Sequence, residues 1–236
     1  RNEILDFRSE INFNSENGKT KGALAPNEFW YFWRRFLPFD ALDYMDSEEL
    51  REKADLAGLR NELNALANIM EKPFALKAMI LNQNIPDLDD QFENALFIWI
   101  RRDPVFNIQS VLQARQRQFG DLDTWYSFKI KEYPELKDLN PLDSAAGQVS
   151  AINRSIEQGI AALPEHKKLI VQYEDFCQRP EFYYDELTSK LRSQADISAL
   201  AGADYSGEKH FSNTNQWVLE EYSKEQVERA FQKAIY

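Results

Sequence analysis

The residues best suited to chemistry sit in one stretch, ALFIWIRRDPVFNIQS, residues 95–110. Ala95–Ile100 is a nearly continuous apolar run of strand length, as expected for a strand covered on both faces. Arg101 and Arg102 follow at its end, then Asp103-Pro104, then Ser110 eight residues beyond Arg102. A guanidinium presents a planar fork of donors that suits a phosphate, and a serine hydroxyl adds a neutral donor. In open parallel sheets, ligands bind where strands end and the next helices begin. A small-anion site at Arg102 and Ser110 is therefore chemically reasonable. The other reading of the same residues is an ion pair of Arg102 with Asp103 or another acid, with Ser110 capping or facing solvent. Spacing alone leaves both open.

Other reactive types are sparse. Cys177 is the single cysteine, so no disulfide forms within the chain. With only His166 and His210 beside it, no Cys/His zinc cluster is expected, and a reducing, cytoplasmic setting is. His166 lies in a Pro-Glu-His-Lys-Lys turn expected at the surface. Gly18-Lys19-Thr20 lacks the preceding strand and following helix of a Walker-type phosphate loop. The net charge of −11, from 39 acids against 28 bases, argues against a nucleic-acid binder or general affinity for anionic membranes. It does not exclude a local basic pocket. No stretch reaches 18 consecutive apolar residues, so no transmembrane helix is expected.

The elements around these residues alternate. The Asn/Ser/Gly/Lys-rich start reads as loop. The aromatic run Phe29–Phe36 reads as a short helix after Pro26, serving as core or as a substrate wall. A long amphipathic helix is expected from Ser47, as N-cap, to Met70, ended by Lys72-Pro73. Phe74–Ile80 is a strand candidate and Pro86–Asn94 a short helix. Asp103 as cap and Pro104 at the first position open a helix running to Phe119, with Gly120 after its end. Further helices are expected over 140–163, 180–194 and 223–235, the last capped by Ser223. Lys168–Tyr173 is a third strand candidate. This order predicts one α/β domain, a layered fold with a central, mainly parallel sheet flanked by helices.

At IRRDPVFNIQS the sequence resembles the sulfotransferases that use 3′-phosphoadenosine-5′-phosphosulfate (PAPS), whose 3′-phosphate segment combines a strand end, Arg-Asp-Pro and a later Ser. Three further stretches match in order: FGDLDTWYSFKIKEYPEL, GQVSAINRSIEQGIAAL and LIVQYEDFCQRPE. The likeness runs over roughly 74–194 and is strongest toward sulfotransferase-like proteins of bacteria. It implies a P-loop-type layered fold, Arg102 and Ser110 on the nucleotide 3′-phosphate, and Tyr173 against or near the adenine. SGEKHFSNTNQW resembles the family's late nucleotide loop, which makes Lys209, Ser212 and Asn213 candidate ligands. It lacks the Arg-Lys-Gly pattern of the cytosolic branch.

The family's activity is sulfuryl transfer from PAPS to an acceptor hydroxyl or amine, without a metal. The implied acceptor is a glycan, lipid or small molecule. Glu10 and Glu28 fall where members often place a catalytic base. Lys77 falls where they place a polar residue able to stabilise the leaving group. The first strand and its P-loop are not found, and are expected upstream of Arg1. Two other readings stay open: a nucleotide kinase-like P-loop enzyme, and a non-catalytic relative that binds a partner.

Overall fold

The computed structural model describes residues 12–16, 19–21, 30–38, 43–71, 73–194 and 204–235. In chain order these form β1 (Asn12–Glu16), β2 (Lys19–Lys21), α1 (Trp30–Trp33), α2 (Ser47–Lys53) and α3 (Leu56–Met70). Then come α4 (Ile85–Gln91), β3 (Phe97–Arg101), α5 (Pro104–Phe119), α6 (Tyr133–Leu136) and α7 (Pro141–Ala161). The chain closes with β4 (Lys168–Gln172), α8 (Tyr173–Gln178), α9 (Pro180–Gln194) and α10 (Lys224–Ile235). The result is a mixed α/β structure, mostly helical, with a two-stranded parallel sheet.

Helix α5 has its ends where local chemistry sets them. The Asp103 carboxylate accepts the Val105 N–H at 3.0 Å, filling one of the donors a helix start leaves unpaired. Pro104 fits the first turn, where its missing N–H loses nothing. At the far end Gly120 adopts φ 77°, a left-handed conformation that glycine reaches without strain, and its N–H returns to the Gln116 carbonyl. Helix α10 starts with a reciprocal cap: Ser223 N–H donates to Gln226 Oε1, and Gln226 N–H to Ser223 Oγ.

Helices α5, α7 and α10 share one apolar cluster of Ile108, Leu112, Ala145, Ala146, Val149 and Val227. A second cluster joins α4, β3 and α7 through Ile85, Trp99, Ile156 and Ile160. The approach of α4 to α7 is close: a Cβ at Gly159 would lie 2.9 Å from the Ile85 Cβ. A third cluster holds the aromatic segment against α2 and α3, with Trp33, Phe36, Leu37, Leu50 and Leu59 buried. Tyr31 points outward.

Strands β3 and β4 pair in parallel, from Phe97 opposite Lys168 to Arg101 opposite Gln172. The crossover between them carries α5, α6 and α7, as a parallel pair requires. Neighbours in such a ladder point to the same face. Ile98 and Ile100 therefore share a face with Leu169 and Val171, and Trp99 shares the other with Ile170. Leu169 and Val171 are each 7% exposed, yet Ile98 is 47% and Ile100 66%. Across the sheet Trp99 is 8% exposed and Ile170 45%. Each face is covered over one strand and open over the other. This corrects the expectation that β3 is covered on both sides.

Four local readings also change. Lys19–Lys21 is the second strand of an antiparallel hairpin with Asn12–Glu16, where a loop is expected. Asn17-Gly18, a strong hairpin turn signal, joins the two strands in sequence. The long helix from Ser47 is two helices. Asp55 breaks it, because its N–H donates to the Phe36 carbonyl at 2.8 Å and its carboxylate caps Gly58. Asp46 is the N-cap of α2, and the Ser47 hydroxyl instead donates to buried Asp87 at 2.6 Å. No strand forms over 74–80. Only Ile80 there is β-branched. Leu76, Ala78 and Ile80 pack onto the helical cluster of α2 and α3, and Met79–Leu81 forms a single tight turn.

Candidate functional site

The carboxyl ends of β3 and β4 lie side by side, and the next residues of each strand meet there. Arg102 follows β3 and Tyr173 follows β4. The Arg102 guanidinium carbon lies 5.4 Å from the centre of the Tyr173 ring and 5.8 Å from that of Phe106 on α5. Cationic contact with ring faces is favourable, more so where water is partly excluded. Arg102 Nε donates to Asn215 Oδ1 at 2.7 Å. Among the described residues, no carboxylate comes within ion-pair range of Arg102. That disposes of the expected alternative pairing with Asp103, whose carboxylate caps α5.

Glu174 ties this corner together. One carboxylate oxygen accepts the Asp103 N–H at 2.9 Å and the Asn215 side-chain amide at 2.7 Å. The other accepts the Gln172 side-chain amide. One side chain thus fixes the start of α5, the end of β4 and the loop before α10. Burial pushes its carboxyl up, but the hydrogen bonds from Asp103, Gln172 and Asn215 outweigh burial and hold it below the ordinary glutamate value.

The segment 204–219 is laid across these strand ends and held at several points. Thr214 N–H donates to the Tyr173 hydroxyl at 3.1 Å, and the two hydroxyls lie 2.9 Å apart. Phe211 N–H donates to the Cys177 carbonyl at 2.8 Å, and its ring stacks on Phe176 with centroids 5.5 Å apart. His210 Nδ1 donates to the Gln178 carbonyl at 2.9 Å. Buried Gln109 on α5 clamps the end of the segment. Its amide donates to the Gln216 carbonyl and accepts the Val218 N–H, each at 2.9 Å.

The structure brings some of the sequence candidates together and leaves others apart. Arg102 and Tyr173 are in contact. Ser110 lies one turn beyond Phe106 on α5, and its hydroxyl donates to the Phe106 carbonyl at 2.8 Å. To give that proton to an anion it must release this bond. Asn213 lies in the loop, where its Oδ1 accepts the Asn215 N–H at 2.9 Å. Lys209 and Ser212 are exposed on the same loop. Lys77 is exposed in an extended stretch that is not a strand. Glu10 and Glu28 lie outside the described residues. Arg101 is exposed, its guanidinium 4.9 Å from the Trp99 ring.

Asn215, Thr214 and Glu174 are contributors that sequence reading misses. Asn215 lies 113 residues from Arg102, so no local spacing points to it. Two surface depressions, of about 350 and 270 Å³, lie elsewhere, one beside α5 and residues 218–221 and one between α7 and α10. Neither is lined by Arg102, Tyr173 or Asn215.

Among the described residues, no group of three His, Cys, Asp or Glu side chains is arranged to hold a metal ion. No helix among them is long and apolar enough to cross a membrane. No protein-family model, curated protein or solved structure matches the chain.

Proposed function

We propose that the chain is the nucleotide-binding part of a PAPS-dependent sulfotransferase. The observation that carries this reading is the junction after β3 and β4. There a half-buried arginine, without a carboxylate partner among the described residues, lies against a tyrosine ring, beneath a loop pinned in place before any ligand arrives. Preorganised donors of this kind bind an anion with little ordering cost.

The residues fit the 3′-phosphate and adenine half of such a ligand. Among the described residues only Nε of Arg102 is committed, to Asn215, which leaves its terminal N–H groups for phosphate oxygens. Ser110 stands one turn further along α5. The Tyr173 ring offers a flat surface for a base, with its hydroxyl held by Thr214. Segment 204–219 covers the strand ends, with Asn213, Ser212 and Lys209 upon it. When bound, PAPS supplies the activated sulfuryl group; these residues bind and orient its nucleotide portion. Acceptors on this reading are hydroxyls or amines of a glycan, lipid or small molecule. Glu10, Glu28 and Lys77 remain the candidates for proton removal and leaving-group stabilisation.

The half-open sheet supports the finer fold as well. Ile98, Ile100 and Ile170 present apolar surface where a larger parallel sheet would carry further strands and helices. A P-loop-type layered fold has those elements.

Calorimetry with adenosine 3′,5′-bisphosphate tests the reading. Binding is expected, stronger than for ATP with magnesium, and Arg102→Ala is expected to weaken it by about 10- to 100-fold, the range of one charged hydrogen-bonding contact. No binding by the wild type, or equal binding by Arg102→Ala, overturns it. Preference for ATP with magnesium points instead to a kinase-like enzyme.

A further inference from the structure

A closed ring of contacts ties the Arg102 side chain to its own backbone. Arg102 Nε donates to Asn215 Oδ1 at 2.7 Å, and Asn215 Nδ2 donates to Glu174 Oε1 at 2.7 Å. The same carboxylate oxygen accepts the N–H of Asp103, the residue after Arg102, at 2.9 Å. The ring thus runs from a guanidinium through an amide and a carboxylate to the neighbouring peptide. Tyr173 and Phe106 add their rings against the same guanidinium.

The chemistry of this ring restricts what can stand at position 215. A guanidinium only donates, and a carboxylate only accepts. A side chain that bridges the two at these distances needs an acceptor on one atom and a donor on another. The amide of Asn215 has both. Leucine has neither, and aspartate would set a second carboxylate against Glu174. Aspartate would also pair with Arg102 and offset its charge. The arginine is instead held by a neutral group, in a chain of 39 acids against 28 bases. Asn215 is held in turn. Its N–H donates to Asn213 Oδ1 at 2.9 Å, Thr214 N–H donates to the Tyr173 hydroxyl, and Gln109 donates to the Gln216 carbonyl.

The place of the bond on the guanidinium matters as well. That group has two bidentate edges, a side-on one of Nε with one Nη and an end-on one of both Nη atoms. Asn215 occupies Nε, so the end-on fork alone stays whole. Among the described residues nothing takes it.

We infer that Asn215 is a positioning residue: backed by Glu174, it aims Arg102 so that an anion meets the two Nη atoms end-on, without neutralising the arginine. This rests on the nucleotide reading above and deepens it, by assigning how the arginine is aimed.

Two measurements test it. The first needs no ligand: nitrogen-edited NMR of the free protein follows the exchange of arginine Nε–H protons with water. The wild type should show a protected Nε–H signal that is absent from Arg102→Ala. In Asn215→Leu the same proton should exchange at the rate of a solvated arginine. Free exchange of the Arg102 Nε–H in the wild type overturns the inference, whatever the chain binds. The second is calorimetry with adenosine 3′,5′-bisphosphate and adenosine 5′-monophosphate, with thermal melting as the control for folding. Asn215→Leu is expected to bind the bisphosphate about tenfold more weakly and the monophosphate as the wild type does. An equal loss of both nucleotides marks a merely structural role and overturns the inference. So does full bisphosphate affinity in Asn215→Leu where Arg102→Ala loses it, and the nucleotide reading then stands. If the wild type binds neither nucleotide while its Arg102 Nε–H is protected, the nucleotide reading falls and the inference built on it falls too.

Discussion

Two arginines toward opposite ends of α5 show how differently one fold can commit a cation's donors. Arg102, just before the helix, is half-buried. Arg115, three turns along, is fully buried. Neither has a carboxylate in ion-pair range among the described residues. Arg115 donates to the Leu122 carbonyl at 3.1 Å, to Ser144 Oγ at 3.1 Å and to Gln148 Oε1 at 3.3 Å, beneath the Trp125 ring. Burial pulls its pKa down, opposed by the more distant Asp123 and Asp121. Its Nε is buried without a partner. The lack of an ion pair is therefore no sign of a ligand by itself. What distinguishes Arg102 is donor capacity left facing a partly open corner, where Arg115 directs its capacity inward to bind α5, α7 and the turn after Gly120.

The largest expected effect follows at Arg115. Arg115→Ala removes a buried stem and strands the acceptors of Leu122 and Gln148, for a loss of about 4 kcal/mol. Chemical denaturation measures it. On the proposed function, the folded fraction should keep the wild-type affinity for adenosine 3′,5′-bisphosphate; a change in affinity there would break the contrast between the two arginines.

Next comes Gln109→Leu. It leaves the Gln216 carbonyl and Val218 N–H without their clamp, at a cost of about 2 kcal/mol. It also frees the end of the segment over Arg102. Hydrogen exchange should rise at 213–218 and leave α7 unchanged. A uniform rise would mean that the loop is not an independent layer.

The smallest effect sharpens the comparison by pH. The Arg102 corner contains a carboxylate hub, whereas the acceptors hydrogen-bonded to Arg115 are neutral. Glu174→Gln should cost about 1 kcal/mol near neutrality. The folded Glu174 carboxyl titrates below its unfolded value, which is about 4.3. Its stabilising contribution is thus full above that value and lost as pH falls through the folded pKa. Stability profiles of wild type and Glu174→Gln should converge below about pH 4. Parallel profiles would remove Glu174 as the acid-sensitive hub.

The parts of this molecule legible in its sequence are those fixed by neighbours along the chain. Asp103, Pro104 and Gly120 mark α5 because caps act within a few residues. The apolar runs of β3 and β4 mark strands for the same reason. Asp55 does not read as a break, because Phe36, from a distant segment, competes for its N–H. Phe74–Ile80 does not read as a turn, since the side chains that claim it come from α2 and α3. The site divides likewise. Arg102 stands out because it follows an apolar strand run, and Tyr173 through the resemblance of LIVQYEDFCQRPE. Glu174 is hidden as one acid among 39, and its role depends on two segments far away in sequence.

Cys177 turns this corner into its own reporter. Its thiol is 1% exposed, and its carbonyl carries the Phe211 N–H that holds down the loop. A thiol reagent reaches it only when that corner opens, and no second cysteine competes for the label. The rate of its modification is thus a clock for loop opening, present in the native chain without an added probe. A ligand that fastens 204–219 slows the clock, and one bound elsewhere leaves it running.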